Sequence, residues 1–590
     1  MVQLLSLRNN LSADRQCFKS SQNYHNFGLV ALVFLLWLLL SACQKSQKSG
    51  SPTPTVTSRA GVVVSANPAA SEAGASVLRQ GGNAFDAAVA THFALAVCYP
   101  RAGNLGGGGF LVYRQYDGKS GSLDFREKAP QNATRDMYLD SLGNPIPERS
   151  LEGGLAAGVP GSVAGMVKLH KRLGKTNWKT LLQPAIRLAE EGVVLSPFEV
   201  AVIERYQSAF RKWNPANCPF IGTFQPGDTL RQPALAATLR RIAERGRAGF
   251  YEGITAGEVV AHARKTGGIL TQEDLSEYEA VWRDPIRFDY RNTRILSMPP
   301  PSSGGVALAQ LLKGTEPYPL AEWKHHGFRH IHLMTELERR VYADRATYLG
   351  DTDFYPVPLD TLLSEGYLRK RFSDISLQAK TPSSEVKAGE VAAIESHETT
   401  HLCVVDKEGN AVSLTTTLNG NFGSKVWLPK SGFFLNNEMN DFSIKPGVPN
   451  QFGLVGGEAN AIAPGKRMLS SMTPTIVEKD GRLWLVLGTP GGATIITTVY
   501  QLILNLRDFE MAPQAAMDSK RIHSQWLPDE IYLEEGAVRD SLVLQKLQQT
   551  GHQLRRWQKI GKAELILVTE TGKRIGVPDH TRGDDTAVRE

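Results

Sequence analysis

The chain has 590 residues, 42% of them hydrophobic and 8% aromatic, enough to bury one large core or two to three ordinary ones. Its net charge of +7 is the difference between 66 basic and 59 acidic residues, and no basic run is interleaved with aromatic side chains. That composition excludes a dedicated nucleic-acid surface, and no nucleic-acid partner is expected.

Residues 1–27 are polar and mildly basic, with Arg8, Arg15 and Lys19, and Gly28 to Leu40 is almost wholly apolar. The apolar run is shorter than the roughly 20 residues that span a bilayer and fits the hydrophobic part of a signal peptide. It ends in Leu40-Ser41-Ala42-Cys43, which resembles a bacterial lipobox, where the cysteine is lipidated and becomes the mature N-terminus. The alternative is a plain signal peptide with an incidental cysteine. Residues 1–43 therefore read as a signal peptide, and residues 44–58, rich in Ser, Pro, Thr and Lys, as a flexible tether. An exported, periplasmic protein is expected, anchored to a membrane through Cys43. Cys98, Cys218 and Cys403 remain, an odd number without metal-type spacing, so no disulfide framework is expected.

Asn67-Pro68 opens the first helix with a cap residue and a proline at the first helical position, and Gly81-Gly82-Asn83 closes it. Ala84 to Cys98 is apolar on nearly every face and predicts a buried helix, with His92 a core histidine. Gly106 to Gly109 lacks the Lys-Ser/Thr of a phosphate loop, so close backbone packing or positive φ explains the glycines. Phe110–Tyr113 and Ser122–Phe125 read as strands that lead to Arg126, whose guanidinium fork can present two donors to a carboxylate. Residues 160–275 are mainly helical, and His330 to Tyr348 is a long helix carrying Glu336, Glu338, Arg339, Arg340, Asp344 and Arg345. Residues 375–396 are polar and read as exposed chain.

His397-Glu398-Thr399-Thr400-His401 organises the rest. His-Glu-x-x-His is the signature of zinc peptidases, but it needs a helix. Two β-branched runs follow instead, Leu402–Asp406 and Ala411–Thr417, joined by a turn at Gly409-Asn410, which predicts a hairpin. The other reading makes Thr399 a nucleophile. A threonine hydroxyl needs a base, and a free α-amine on the same residue, with a pKa of roughly 8, can serve. That requires the chain to be cut between Glu398 and Thr399.

Further motifs follow in order: Gly103 to Phe110, Asp124-Phe125-Arg126-Glu127, Pro299 to Gly305, Thr399-Thr400-His401, Asn436 to Phe442, Leu469 to Thr475, and Gly488-Thr489-Pro490-Gly491-Gly492. In this combination, from about residue 60 onward, the chain resembles the γ-glutamyltranspeptidases, members of the N-terminal-nucleophile hydrolases. The resemblance implies an α+β fold, a four-layer αββα sandwich with two antiparallel sheets between helical layers. It implies a precursor that cuts itself into a large subunit, 59–398, and a small subunit, 399–590, which stay together as a heterodimer sharing one domain.

By position the resemblance implies that Thr399 is the nucleophile, that Thr417 hydrogen-bonds and helps activate it, and that Gly491 and Gly492 supply the oxyanion N–H pair. Arg126, Ser470 and Ser471 would take the substrate's α-carboxylate, and Asn419, Glu438 and Asp441 its α-ammonium. The donor would be glutathione or a related compound, and water, an amino acid or a dipeptide the acceptor. No cofactor and no metal are implied. Glu438 stands where many bacterial relatives have glutamine. Residues 446–457 match a covering loop, with Phe452 where some relatives have tyrosine, so that a bond from this loop to Asn419 is not expected. A catalytically silent lipoprotein of the same fold is the remaining alternative.

Overall fold

The computed structural model describes residues 55–386, 399–448, 450–451 and 454–590. The segment expected as a signal peptide, with Cys43, residues 44–54 of the expected tether, His397, Glu398 of the expected cut, and Phe452 lie outside the described residues. The end of the tether, expected to run to residue 58, is instead an edge strand, Val56–Ser58, held by the ladder to Arg574–Gly576. No described helix is long and apolar enough to cross a membrane.

Two seven-stranded sheets dominate. The first runs Thr586–Arg589, Val62–Ser65, Thr399–Val405, Ala411–Thr417, Gly108–Arg114, Ser120–Asp124, Val281–Arg283. The second runs Val56–Ser58, Arg574–Pro578, Glu564–Val568, Arg482–Gly488, Thr475–Lys479, Thr293–Ser297, Ile286–Tyr290. All neighbours in both sheets are antiparallel. Segments from either side of residue 398 lie edge to edge, since Thr399–Val405 pairs with Val62–Ser65 and Ala411–Thr417 with Gly108–Arg114.

Side chains alternate across each strand, and the alternation builds the layers. Val62, Val64, Phe110, Val112, Cys403 and Val405 meet Leu296, Ile476, Val486 and Ile566 between the sheets. Their neighbours Val63, Leu111, Leu402 and Val404 point the other way, into a layer with the helices Pro68–Arg79, Ala84–Cys98, Ser162–Leu173 and Trp178–Glu191. Ile295, Val477, Leu485 and Leu565 pack outward against the helices Gly304–Thr315, Phe328–Tyr348 and Thr494–Arg507. Each buried Val, Leu or Ile contributes about 1.5–3 kcal/mol, so the three apolar layers carry the fold. The result is the expected αββα sandwich.

Asn67 caps Pro68–Arg79, and Ala84–Cys98 begins at a capping box in which the Asn83 and Asp86 side chains satisfy each other's backbone N–H groups. His92 packs edge-on against Phe93 and Phe125, and burial holds it neutral, with a pKa of about 4. The stretch 160–275 is mainly helical as expected, and within it Pro197–Arg205 and Gln207–Trp213 are two separate helices. The glycines before Phe110 serve close packing: a Cβ on Gly107 would lie 2.0 Å from the Thr417 carbonyl oxygen, and one on Gly109 2.2 Å from that of Thr415.

Candidate active site

Thr399 opens its strand, and the register sets it opposite Thr417. Thr399, His401, Cys403 and Val405 share the face that looks between the sheets, as do Thr417, Thr415, Ser413 and Ala411 opposite them. Deep in the gap this face is apolar, and toward its end it becomes polar. Ser413 Oγ donates to the Leu487 carbonyl of the other sheet at 2.9 Å, and His401 Nδ1 lies 2.8 Å from Thr415 Oγ1. Last come Thr399 and Thr417, whose hydroxyl oxygens are 3.5 Å apart. Thr417 Oγ1 also accepts from the Asn419 backbone N–H at 2.7 Å.

The two histidines of a zinc pair must sit one helical turn apart. His401 is instead a strand residue, fully buried, with its pKa pushed down to about 3 by that burial. The zinc-peptidase alternative has no helix to stand on.

One pocket brings most of the expected residues together: Arg126, Thr399, Thr417, Asn419, Glu438, Asp441, Ser470, Ser471 and Gly492. Gly491 adjoins it without lining it, and Cys43 and Glu398 are not described. Arg126 follows directly on the strand Ser120–Asp124, and Asn419 sits just past Ala411–Thr417 with a φ of 72°, where asparagine is better tolerated than most residues. Asn419 Nδ2 donates to the Asn437 carbonyl at 3.0 Å. Glu438 to Asp441 forms a single 3₁₀ turn that aims both carboxylates at Arg126. Gly491 and Gly492 have φ of 138° and 53°, and they lead into the buried helix Thr494–Arg507. Backbone N–H groups near a helix N-terminus suit developing negative charge.

The guanidinium of Arg126 does not wait free for a carboxylate. Nη2 lies 2.5 Å from Asp441 Oδ2, Nη1 2.9 Å from Glu438 Oε2 and 3.5 Å from Glu127 Oε2. Burial disfavours its charge, but Glu438, Asp441 and Glu127 outweigh that and hold it firmly protonated. Burial pushes Glu127 up to about 8, partly offset by Arg126, and raises Glu438 and Asp441 as well. Three buried carboxylates around one cation cannot all ionise cheaply. From the segment 446–457, Asn450 Nδ2 donates to Asp441 Oδ1 at 3.1 Å, and Leu454 lines the pocket.

Residues without a role in the sequence reading also line this pocket: Arg345, Leu454, Met472 and Ile495. Arg345 stands on the long helix Phe328–Tyr348, among charged residues that are nearly all buried. Nothing in the periodicity of that helix marks Arg345 from its neighbours.

Comparisons with known proteins agree with this geometry. The family model described as γ-glutamyltranspeptidase matches residues 70–588. The glutathione hydrolase proenzyme of Escherichia coli is 44% identical over 535 residues, which is 90% of this chain and 92% of the relative. Among solved structures, cephalosporin acylase from Bacillus halodurans superposes with a TM-score of 0.80 at 27% identity, covering 92% of this chain and 98% of that one. The γ-glutamyltranspeptidase of Helicobacter pylori superposes with a TM-score of 0.53 at 44% identity, over 54% of this chain and 93% of that one. The chain belongs to the γ-glutamyltranspeptidase family, on the sandwich fold of the N-terminal-nucleophile hydrolases.

Proposed function

We propose that Thr399 is the nucleophile of a γ-glutamyl acyltransferase and hydrolase that matures by cleavage between Glu398 and Thr399. The observation that carries this is the place of Thr399: first residue of an inter-sheet strand, its hydroxyl 3.5 Å from that of Thr417, in a pocket with Arg126, Asn419, Glu438, Asp441, Ser470 and Ser471. Cleavage leaves a carboxylate on Glu398 and a free α-amine on Thr399, and that amine takes the hydroxyl proton. Thr399 Oγ1 then attacks the γ-carbonyl carbon of the donor. The Oγ1–C bond forms, the C–N bond breaks, and the amine leaves carrying the proton. Gly491 and Gly492 face the charge that develops on the carbonyl oxygen. Water or the amine of an amino acid or dipeptide attacks the ester and returns the hydroxyl.

The donor is glutathione or a related γ-glutamyl compound, and no part of this scheme requires a cofactor. Ser470, Ser471 and Arg126 meet the α-carboxylate, and Asn419, Glu438 and Asp441 the α-ammonium. The two products of cleavage stay associated because splitting them would expose the strands Thr399–Val405 and Ala411–Thr417 at the centre of their sheet. Export through the 1–43 segment, with lipidation at Cys43, belongs to the same proposal.

N-terminal sequencing of the small fragment tests it. The expected sequence begins Thr-Thr-His-Leu, and Thr399→Ala should give one uncut chain that releases no aniline from a γ-glutamyl anilide. A folded, uncut wild-type chain with full activity would overturn the proposal, and so would a matured protein without any.

A further inference from the structure

Arg345 is a buried cation without an ion pair. Its residue is 4% exposed, and among the described residues no carboxylate lies within ion-pair distance of it. Nε donates to Ser303 Oγ at 2.9 Å and Nη2 to Ser471 Oγ at 3.1 Å, both neutral hydroxyls. Burying a guanidinium without a contact ion pair is expensive: burial lowers its pKa to about 10, and Tyr342 and Asp441, acting at longer range, offset that only in part. Arginines kept in such a place are usually paired. This one lines the pocket of Thr399.

The hydrogen bonds around it have a direction. A hydroxyl that accepts from a guanidinium cannot also point its proton at that guanidinium. Ser471 Oγ accepts from Arg345 and donates to no described residue, although Ser471 is only 6% exposed. Ser470 Oγ accepts from the Met472 N–H at 3.1 Å and likewise donates to no described residue. Ser303 Oγ, bonded to Arg345 Nε, donates to the Ser470 carbonyl at 2.7 Å, and the Ser303 N–H donates to the same oxygen at 2.8 Å. The one guanidinium thus fixes the Ser471 hydroxyl directly and the Ser470 backbone through Ser303. Both serine protons are left for an anion in the pocket. Arg126 is engaged by Asp441 and Glu438, so the pocket-lining cation without an ion pair among the described residues is Arg345.

We infer that Arg345 is a positioning residue for recognition of the substrate's α-carboxylate. It orients the Ser471 hydroxyl as a donor, steadies the Ser470 segment through Ser303, and places a buried positive charge behind both. The inference rests on the proposed γ-glutamyl reading of the pocket and adds to it the group that makes two neutral hydroxyls selective for an anion.

The test compares two anilides on the matured enzyme. One is the γ-glutamyl anilide. The other is 4-aminobutyryl anilide, which keeps the amine and the chain but lacks the α-carboxylate. In Arg345→Met the preference for the carboxylate-bearing substrate should shrink about 10- to 100-fold, as expected for loss of a charge-assisted contact, through KM rather than kcat. Arg345→Lys keeps the charge without the fork and should fall between, and Ser471→Ala combined with Arg345→Met should add little to either alone. Fragment pattern and melting temperature confirm that each variant matures. An equal loss on both anilides in Arg345→Met and in Arg345→Lys, or an unchanged preference, overturns the role of Arg345 while leaving the parent reading intact. A wild-type enzyme inert toward γ-glutamyl anilide overturns both.

Discussion

Gly107→Ala is a single-methyl test of how the site is held. The added Cβ would lie 2.0 Å from the Thr417 carbonyl oxygen and 2.8 Å from Asn104 Oδ1. Carbon and oxygen normally approach to about 3.3 Å, so roughly 1.3 Å of space must be made between two backbones. Neither side yields easily. The Thr417 carbonyl already accepts from Asn104 Nδ2 at 2.8 Å, and its strand is paired on one side with Thr399–Val405 and on the other with Gly108–Arg114. Overpacking of this kind costs about 1–3 kcal/mol. The larger effect falls on chemistry, because any retreat of Thr417 opens its 3.5 Å approach to Thr399 Oγ1. A misplacement of about 1 Å can cost on the order of 100-fold in rate. Denaturant titration, a time course of self-cleavage, and aniline release from γ-glutamyl anilide measure the three consequences. Gly257→Ala is the control: it lies inside the helix Gly253–Lys265, no heavy atom outside its own helix lies within 4 Å of the added Cβ, and about 0.5–1 kcal/mol of stabilisation is expected. If Gly107→Ala folds, matures and turns over like the wild type, the close approach does not hold Thr417 in place.

Thr417→Val keeps the shape of the side chain but leaves the Asn419 N–H without its acceptor. It should cost about 1–3 kcal/mol and slow cleavage at Thr399, while Thr417→Ser should restore both, as followed on a denaturing gel. Arg126→Met would leave Glu127, Glu438 and Asp441 without their cation and should destabilise by about 3–5 kcal/mol; adding Glu438→Gln should return part of that loss in a denaturant titration. The buried His401 imidazole titrates at about 3, against 6.5 unfolded, so the unfolded chain takes the proton first as the pH falls. Its contribution to stability is whole above pH 6.5 and lost between 6.5 and about 3, and His401→Gln should flatten the pH dependence of the denaturation midpoint in that window. Glu127 acts with the opposite sign: raised to about 8 from 4.5, it keeps its proton longer in the folded chain, so stability falls as the pH rises from 4.5 to about 8. Glu127→Gln should remove that slope.

Much of this architecture is legible in local chemistry. The hairpin around Gly409-Asn410 could be read because two β-branched runs flank a two-residue turn signal, and that hairpin alone sets Thr399 against Thr417. The helix Ala84–Cys98 could be read to the residue because nearly every face of that run is apolar, although Asn83, read as the close of the preceding helix, proves to be its cap. What stays hidden depends on partners distant in the chain. Val62–Ser65 is four residues long and is a strand because Thr399–Val405 and Thr586–Arg589 flank it. Arg126 reads as a free donor until Glu438 and Asp441, more than 300 residues away, are folded against it. Arg345 is hidden for a third reason. Its helix carries Glu336, Arg339 and Arg340 as well, and these pair with one another or with Asp374 and Asp529, so a run of charges that looks solvated is buried. Only the absence of such a partner among the described residues distinguishes Arg345, and an absence has no local signature.

The charges of the pocket explain why an amino acid end, and not a plain amide, should be its ligand. Glu127, Glu438 and Asp441 face Arg126, one cation against three carboxyl groups, and burial raises all three. Arg345, behind Ser471, has two hydroxyls as its side-chain contacts among the described residues and feels Asp441 only at longer range. Each half of the pocket therefore holds a deficit of opposite sign, and each deficit costs free energy because the groups that carry it are buried or nearly so. A plain amide corrects neither. An ammonium alone relieves the carboxylates but leaves Arg345 as it was, and a carboxylate alone does the reverse. A group carrying both, at the separation of one α-carbon, corrects the two together without changing the net charge of the site. The selectivity then resides in costs the protein bears while unliganded, which is the form of specificity hardest for a near-analogue to satisfy.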